Sequence, residues 1–257
     1  MRKNKLLLSC TLGLCAAAMA QADDRLTLTT GIDYSTGKYG GAASTDILYV
    51  PLIGKYETGP WTLKLTVPWL QITGPGNVVG SGDGVIVSGG SASTVRTRQS
   101  GMGDVVAAAG YALLGGRRGL ALDITGKVKF ATGDSAKGLS TGENDYALQT
   151  DLFLPSGTVT PFGTLGYKVI GRPAGTALRN VWYASAGASW KLSGATSAGA
   201  LVDMRQASRP GAEGGRELSL YASRKLGASF KLQAYLSRGF SDTSADWGAG
   251  LMLGYGI

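Results

Sequence analysis

The chain ends Asp246-Trp247-Gly248-Ala249-Gly250-Leu251-Met252-Leu253-Gly254-Tyr255-Gly256-Ile257, and the reading of this stretch decides the fold. Trp247, Ala249, Leu251, Leu253, Tyr255 and Ile257 alternate with Gly248, Gly250, Met252, Gly254 and Gly256. Successive side chains of a strand point to opposite faces, so one face is apolar with an aromatic near each end and the other is nearly bare backbone. A strand of this kind set in lipid needs a partner on both edges, because an orphaned backbone group in hydrocarbon costs several kcal/mol. The expectation is a closed barrel in which this strand pairs with residues 25–34, where Leu26, Leu28, Thr30 and Ile32 continue the apolar face.

The other end of the sequence agrees with export. Arg2, Lys3 and Lys5 precede an apolar run over 6–17, and Ala18-Met19-Ala20 forms a small-x-small site before Gln21. This is the layout of a cleaved secretory signal over 1–20, leaving 21–257 as one barrel domain. Both cysteines, Cys10 and Cys15, fall inside the signal, so the mature domain has no disulfide to rely on. Removing three basic residues from a formal charge of +8 leaves +5, and these charges are scattered, so nucleic-acid binding has no basic patch to rest on. No later stretch is apolar enough for a membrane helix. An exported chain of this composition enters a membrane as a barrel or not at all.

Segments with alternating polarity recur twelve times, near 25–34, 46–57, 61–72, 104–114, 119–130, 145–154, 159–170, 179–192, 196–206, 216–226, 229–240 and 246–257. Every second connection is a tight turn, as in Thr58-Gly59-Pro60, Ser193-Gly194 and Gly227-Ala228, whereas the intervening ones are longer and polar. Short periplasmic turns, long outer loops and an even strand number are the marks of a transmembrane antiparallel up-and-down β-barrel of the bacterial outer membrane, here with twelve strands. Outer-membrane lipid, lipopolysaccharide and the barrel-assembly machinery are the partners such a protein is expected to meet.

Charged faces must line the lumen, because Lys or Arg facing lipid at the midplane costs about 2–4 kcal/mol. That rule places Lys64, Asp104, Asp123, Lys127, Lys129, Asp145, Asp151, Lys168, Asp203 and Arg205 inside. Counting every inward position gives eight acidic and ten basic side chains, with neither sign dominant. Tyr49, Phe153, Phe162, Tyr183, Tyr221 and Tyr235 also point inward, either as packing or as a path for an apolar or aromatic solute. Pro51 makes the parity of the second segment the least secure, since proline in a strand often marks a bulge. Arg224 and Arg238 fall on apolar faces near strand ends, where they reach headgroups or phosphates.

Gly138-Leu139-Ser140-Thr141-Gly142 matches the G-x-S-x-G nucleophile elbow, but that motif needs a strand-to-helix turn and a histidine, and the chain contains none. No catalytic residue, metal or cofactor is expected. Gly82-Asp83-Gly84 is a single faint echo of a calcium loop. It lies within the long connection over 73–103, whose length marks it as a constriction or a lid.

Gly101-Met102-Gly103-Asp104, Phe130-Ala131-Thr132-Gly133-Asp134 and Thr141-Gly142-Glu143-Asn144-Asp145-Tyr146 resemble the G-x-G-D, P-T-G-D and G-T-G-x-x-D-[YF] elements of the outer-membrane family named for the meta pathway of phenol degradation. The opening of the last strand, Asp246-Trp247-Gly248-Ala249-Gly250, is similar too. Ala131 stands where the family has proline, and Ile257 where barrels commonly end in phenylalanine. The resemblance implies an outer-membrane barrel that passes small, often aromatic or hydrophobic, molecules. Function is therefore expected to be passive uptake of small solutes, the alternatives being a non-conducting structural or surface-interaction barrel and a membrane-embedded enzyme.

Overall fold

The computed structural model describes residues 24–76, 78–81, 84–87, 94–115 and 119–257. The expected signal, Gly82 and Asp83 lie outside the described residues. Fifteen strands follow in chain order: β1 (Arg25–Gly37), β2 (Thr45–Thr58), β3 (Trp61–Gly74), β4 (Val78–Ser81), β5 (Gly84–Val87), β6 (Thr97–Met102), β7 (Val105–Gly115), β8 (Ala121–Phe130), β9 (Asp145–Phe153), β10 (Val159–Val169), β11 (Val181–Lys191), β12 (Thr196–Arg205), β13 (Gly215–Leu226), β14 (Phe230–Gly239) and β15 (Trp247–Gly256). β4 and β5 form a separate hairpin, and β6 and β7 both pair with β3 as two halves of one spanning strand. The barrel therefore has twelve staves, all pairing antiparallel.

Closure is made where the terminal strand predicts it. β15 pairs with β1 from Thr27 opposite Gly256 to Thr36 opposite Trp247, and Leu28, Thr30 and Ile32 lie opposite Tyr255, Leu253 and Leu251. Outward positions carry an apolar belt that includes Ile32, Leu52, Leu148, Leu165, Leu220 and Leu236, each more than half exposed. Aromatics border it at both ends. Trp61 meets Tyr111 and Phe230 meets Tyr255 at the short-turn end, and Tyr167 meets Trp182 at the other, each pair with ring centroids 4.9 Å apart. Such girdles sit at membrane interfaces.

Pro51 brings no bulge. β2 runs in unbroken register against β3, with Pro51 opposite Pro68, and its register with β1 is the same on both sides of the proline. The missing N–H removes ladder bonds without turning the faces over.

The fourth stave differs from expectation. Its upper half, β6, lies within the stretch read as loop, because Thr97–Met102 has no apolar alternation and stands mostly exposed beyond the lipid belt. Between β6 and β7 an irregularity at Gly103 and Asp104 shifts the pairing with β3 by one residue. Gly103 donates its N–H to Pro68 O at 2.9 Å, and a Cβ there would lie 2.6 Å from Leu70 Cδ1. That close approach explains the second glycine of the motif, and the extra residue turns Asp104 inward.

Candidate functional site: the lumen and its outer mouth

The lumen is stratified, and each layer follows from the inward parity of the strands. In the inner half, towards the short turns, Ala121, Phe153, Phe162, Leu201, Tyr221 and Tyr235 form one buried apolar cluster. The bare glycine faces make room for its rings. A Cβ at Gly199 would strike Tyr221, and one at Gly250 would strike Tyr235, so each ring lies flat over a neighbouring strand's backbone. Tyr183 covers Gly166 in the same way. The space beside the terminal strand is thus filled from the adjacent wall.

Nearer the short turns the inner mouth is basic. Lys55 faces Lys64 across β2 and β3, and Lys225 faces Lys231 across β13 and β14. Glu57 tempers the first pair through a 3.0 Å contact with Lys55.

At mid-height the residues are polar and tightly bonded. Asp151 accepts from Gln149 Nε2 at 2.7 Å and from Thr164 Oγ1 at 2.6 Å, while Tyr183 donates to Gln149 Oε1 at 3.0 Å. Lys127 stands over the Tyr183 ring, 5.9 Å from its centroid. Asp123 lies directly opposite Asp151, and its Oδ1 is buried without a hydrogen-bond partner among the described residues. Asp203 faces Glu217 in the upper part of the opposite wall, and Arg205 donates to Thr243 O at 3.4 Å.

The outer mouth holds two inward-packed loops. Tyr49, Ile47, Leu70 and Ile72 from the wall meet Tyr39 and Ala245 from neighbouring loops, Val78 from β4, and Leu139 from the loop between β8 and β9 in a second buried cluster. Gly80 N donates to Gly138 O at 3.0 Å, joining the two inward loops to each other. Burial pushes the Tyr39 phenol well above its ordinary range, so it stays neutral in this plug. The first part of the 73–103 connection therefore enters the barrel.

A buried charge cluster anchors the second loop. Lys129 Nζ lies 2.9 Å from Asp104 Oδ2 and 3.4 Å from Asp145 Oδ2, and Lys168 Nζ approaches Asp145 Oδ2 at 3.1 Å. Lys129 also donates to Thr141 Oγ1 at 3.1 Å. The remaining carboxylate oxygens hold backbone, with Gly133 N on Asp104 Oδ1 at 3.0 Å and Gly171 N on Asp145 Oδ1 at 2.9 Å. Asn144 Oδ1 accepts from Ala131 N at 2.8 Å, and Thr132 Oγ1 accepts from Val105 N at 2.9 Å. The glycine and aspartate motifs are thus the fastening of the loop. Ser140 is buried and accepts from Gly142 N at 2.9 Å, so the hydroxyl of the elbow-like sequence is committed to its own turn between two strands.

Burial changes the charge balance read from sequence. Asp104, Asp123, Asp145 and Asp151 are buried, whereas Lys129 alone of the ten inward basic residues is. Asp33, Glu57, Asp203 and Glu217 stay partly exposed, against a larger number of partly exposed inward lysines and arginines, so the accessible balance leans cationic. Arg179, one of the ten basic residues that strand parity counts as inward, instead lies before β11 and donates Nε to Ala207 O at 2.9 Å. Leu201 was legible on the same parity as Asp203 but is absent from the expected apolar set. Val78 and Leu139 lie in segments with no periodicity to betray them.

No protein-family model matches the sequence, and no curated protein does. Solved structures do match. The chain is similar to an outer-membrane channel from Pseudomonas putida F1, with a TM-score of 0.68 at 13% identity, covering 94% of this chain and 97% of that one. It is also similar to the NanC porin, with a TM-score of 0.59 at 8% identity over 89% and 98% of the two chains. The KdgM porin follows at 0.54 and 8% identity, over 89% and 98%. The likeness is one of fold. With the apolar belt and its aromatic borders, it gives the construction of a bacterial outer-membrane barrel, and that membrane is where the protein resides.

Proposed function

We propose that the protein is a passive channel for small solutes, with a lumen that favours anions and an outer mouth gated by the two inward loops. The observation that carries this reading is the unequal burial of lumen charge: Asp123, Asp145 and Asp151 of the β8–β10 wall are hidden, whereas Lys127 and Lys168 of the same wall stay partly exposed and only Lys129 is buried with the acids. A pore lined by one accessible sign concentrates ions of the other. The aromatic inner wall beside a basic inner mouth suits anions with an apolar or aromatic body, which agrees with what the family resemblance implies. The KdgM porin, of the same fold, has been captured with an oligogalacturonate, itself an anionic chain. Residues 1–20 act as the export signal in this reading, and mass spectrometry of the mature protein is expected to find Gln21 first.

Purified protein in planar bilayers is expected to conduct, with a reversal potential in a salt gradient of the sign given by anion flow. Absence of conductance both in the intact protein and after deletion of 75–93 sinks the proposal. A second reading, a non-conducting barrel, draws on the buried apolar clusters at both levels of the lumen, and that same null result would favour it.

A further inference from the structure

A feature on the outside of the barrel concerns a different ligand. At the outer ends of β10 to β13 a groove of about 580 Å³ opens on the wall. Leu165, Trp182 and Met204 line it, each about half exposed, and Ala184 lies in register between Leu165 and Met204. The small side chain between two large ones makes the concavity. Arg179, Arg205 and Arg216 stand in its lining, Arg205 on the inward face of β12 and Arg216 on the outward face of β13, and no carboxylate does.

Arg216 is exposed on the lipid-facing side of β13, and among the described residues its guanidinium has neither an ion pair nor a hydrogen bond. Another outer-end arginine, Arg238, is provided for: it stacks over Trp247 at 4.7 Å and donates to Asp246 O at 3.0 Å. A guanidinium at a strand end reaches the headgroup layer, where a phosphate satisfies its planar fork in bidentate fashion. The apolar walls run from that layer towards the lipid belt, the course an acyl chain takes. Gln206, also in the lining, uses Oε1 to accept from Trp182 N at 3.1 Å, which leaves its amide N–H groups for an acceptor such as a sugar hydroxyl.

We infer that the groove binds one phosphorylated glycolipid of the outer leaflet, of the lipid A type. A phosphate lies on Arg216 with Arg179 beside it, and an acyl chain lies along Leu165, Ala184 and Met204. Long loops mark this end of the barrel as the outer one, which commits the site to outer-leaflet lipid. The inference stands apart from the lumen and holds whether or not the barrel conducts.

Native mass spectrometry of the folded barrel in mild detergent, titrated with bisphosphorylated lipid A, tests it. One lipid per barrel is expected, with affinity falling at least about tenfold in Arg216→Ala, the scale of losing a charge-assisted hydrogen bond. Ala184→Trp, which fills the groove, is expected to reduce binding as much, whereas Arg224→Ala at the opposite end of β13 is expected to leave it unchanged. Heat-dependent gel mobility verifies that each variant is folded. Undiminished binding in folded Arg216→Ala or Ala184→Trp overturns the inference. So does equal binding of dephosphorylated lipid A or of phosphatidylglycerol.

Discussion

Lys129 shows most directly how single residues set the behaviour of this barrel. It lies between two buried carboxylates, and its removal leaves Asp104 without its ion-pair partner. Uncompensated buried charge costs about 3–5 kcal/mol. Lys129→Met is therefore expected to lower the urea midpoint sharply, while the double variant with Asp104→Asn recovers part of the loss. An additive double-variant cycle would show the two groups to be independent. Asp123 presents the reverse case. It faces Asp151 directly, and like charges across a strand pair are destabilising by up to about 1 kcal/mol. Asp123→Asn is expected to hold or raise stability, measured the same way; a clear loss would assign the carboxylate a partner that the geometry does not show.

Elements act here through their loops. The Val78 and Leu139 segments close on each other through one backbone hydrogen bond and a shared apolar cluster, so removing one should loosen the other. Deleting 75–93 is expected to raise single-channel conductance and reduce spontaneous closures, and unchanged traces would mean that the constriction lies deeper, at the aromatic layer. This is also the scale at which the sequence was most unevenly legible. Alternation with a period of two exposes a strand wherever one face meets lipid, so the parity of β8, β9 and β15 could be read residue by residue. β6 escaped because above the belt both of its faces meet water, and nothing forces Thr97–Met102 to alternate. The inward path of Val78 and Leu139 escaped because loop packing leaves no period. The motifs around Asp104, Thr132 and Asp145 were visible, but their role was not: an aspartate beside glycine reads alike whether it binds a solute or ties down a loop. Depth, too, was hidden, since Asp145 and Lys168 share an inward face and differ in exposure only through neighbours distant in sequence.

The whole molecule is a wall with opposite solvents on its two sides, and its selectivity is a property of the accessible surface rather than of composition. Reversing Lys64 and Lys225 to glutamate together is expected to shift the reversal potential towards cations with little loss of stability, because each faces another lysine and the change turns a repulsive pair into an attractive one. A potential that does not move would place the selective layer elsewhere. The pairing of β1 with β15 carries a further consequence, for kinetics. It is the contact of greatest sequence separation in the sheet, so the entropy of bringing its partners together must be met before the seam returns any hydrogen bonds. Until then the growing sheet presents two bare edges, each a template for another chain. Folding should therefore be slow, concentration-sensitive and late to commit. A chain lacking β15 is expected to aggregate instead of settling as a smaller cylinder.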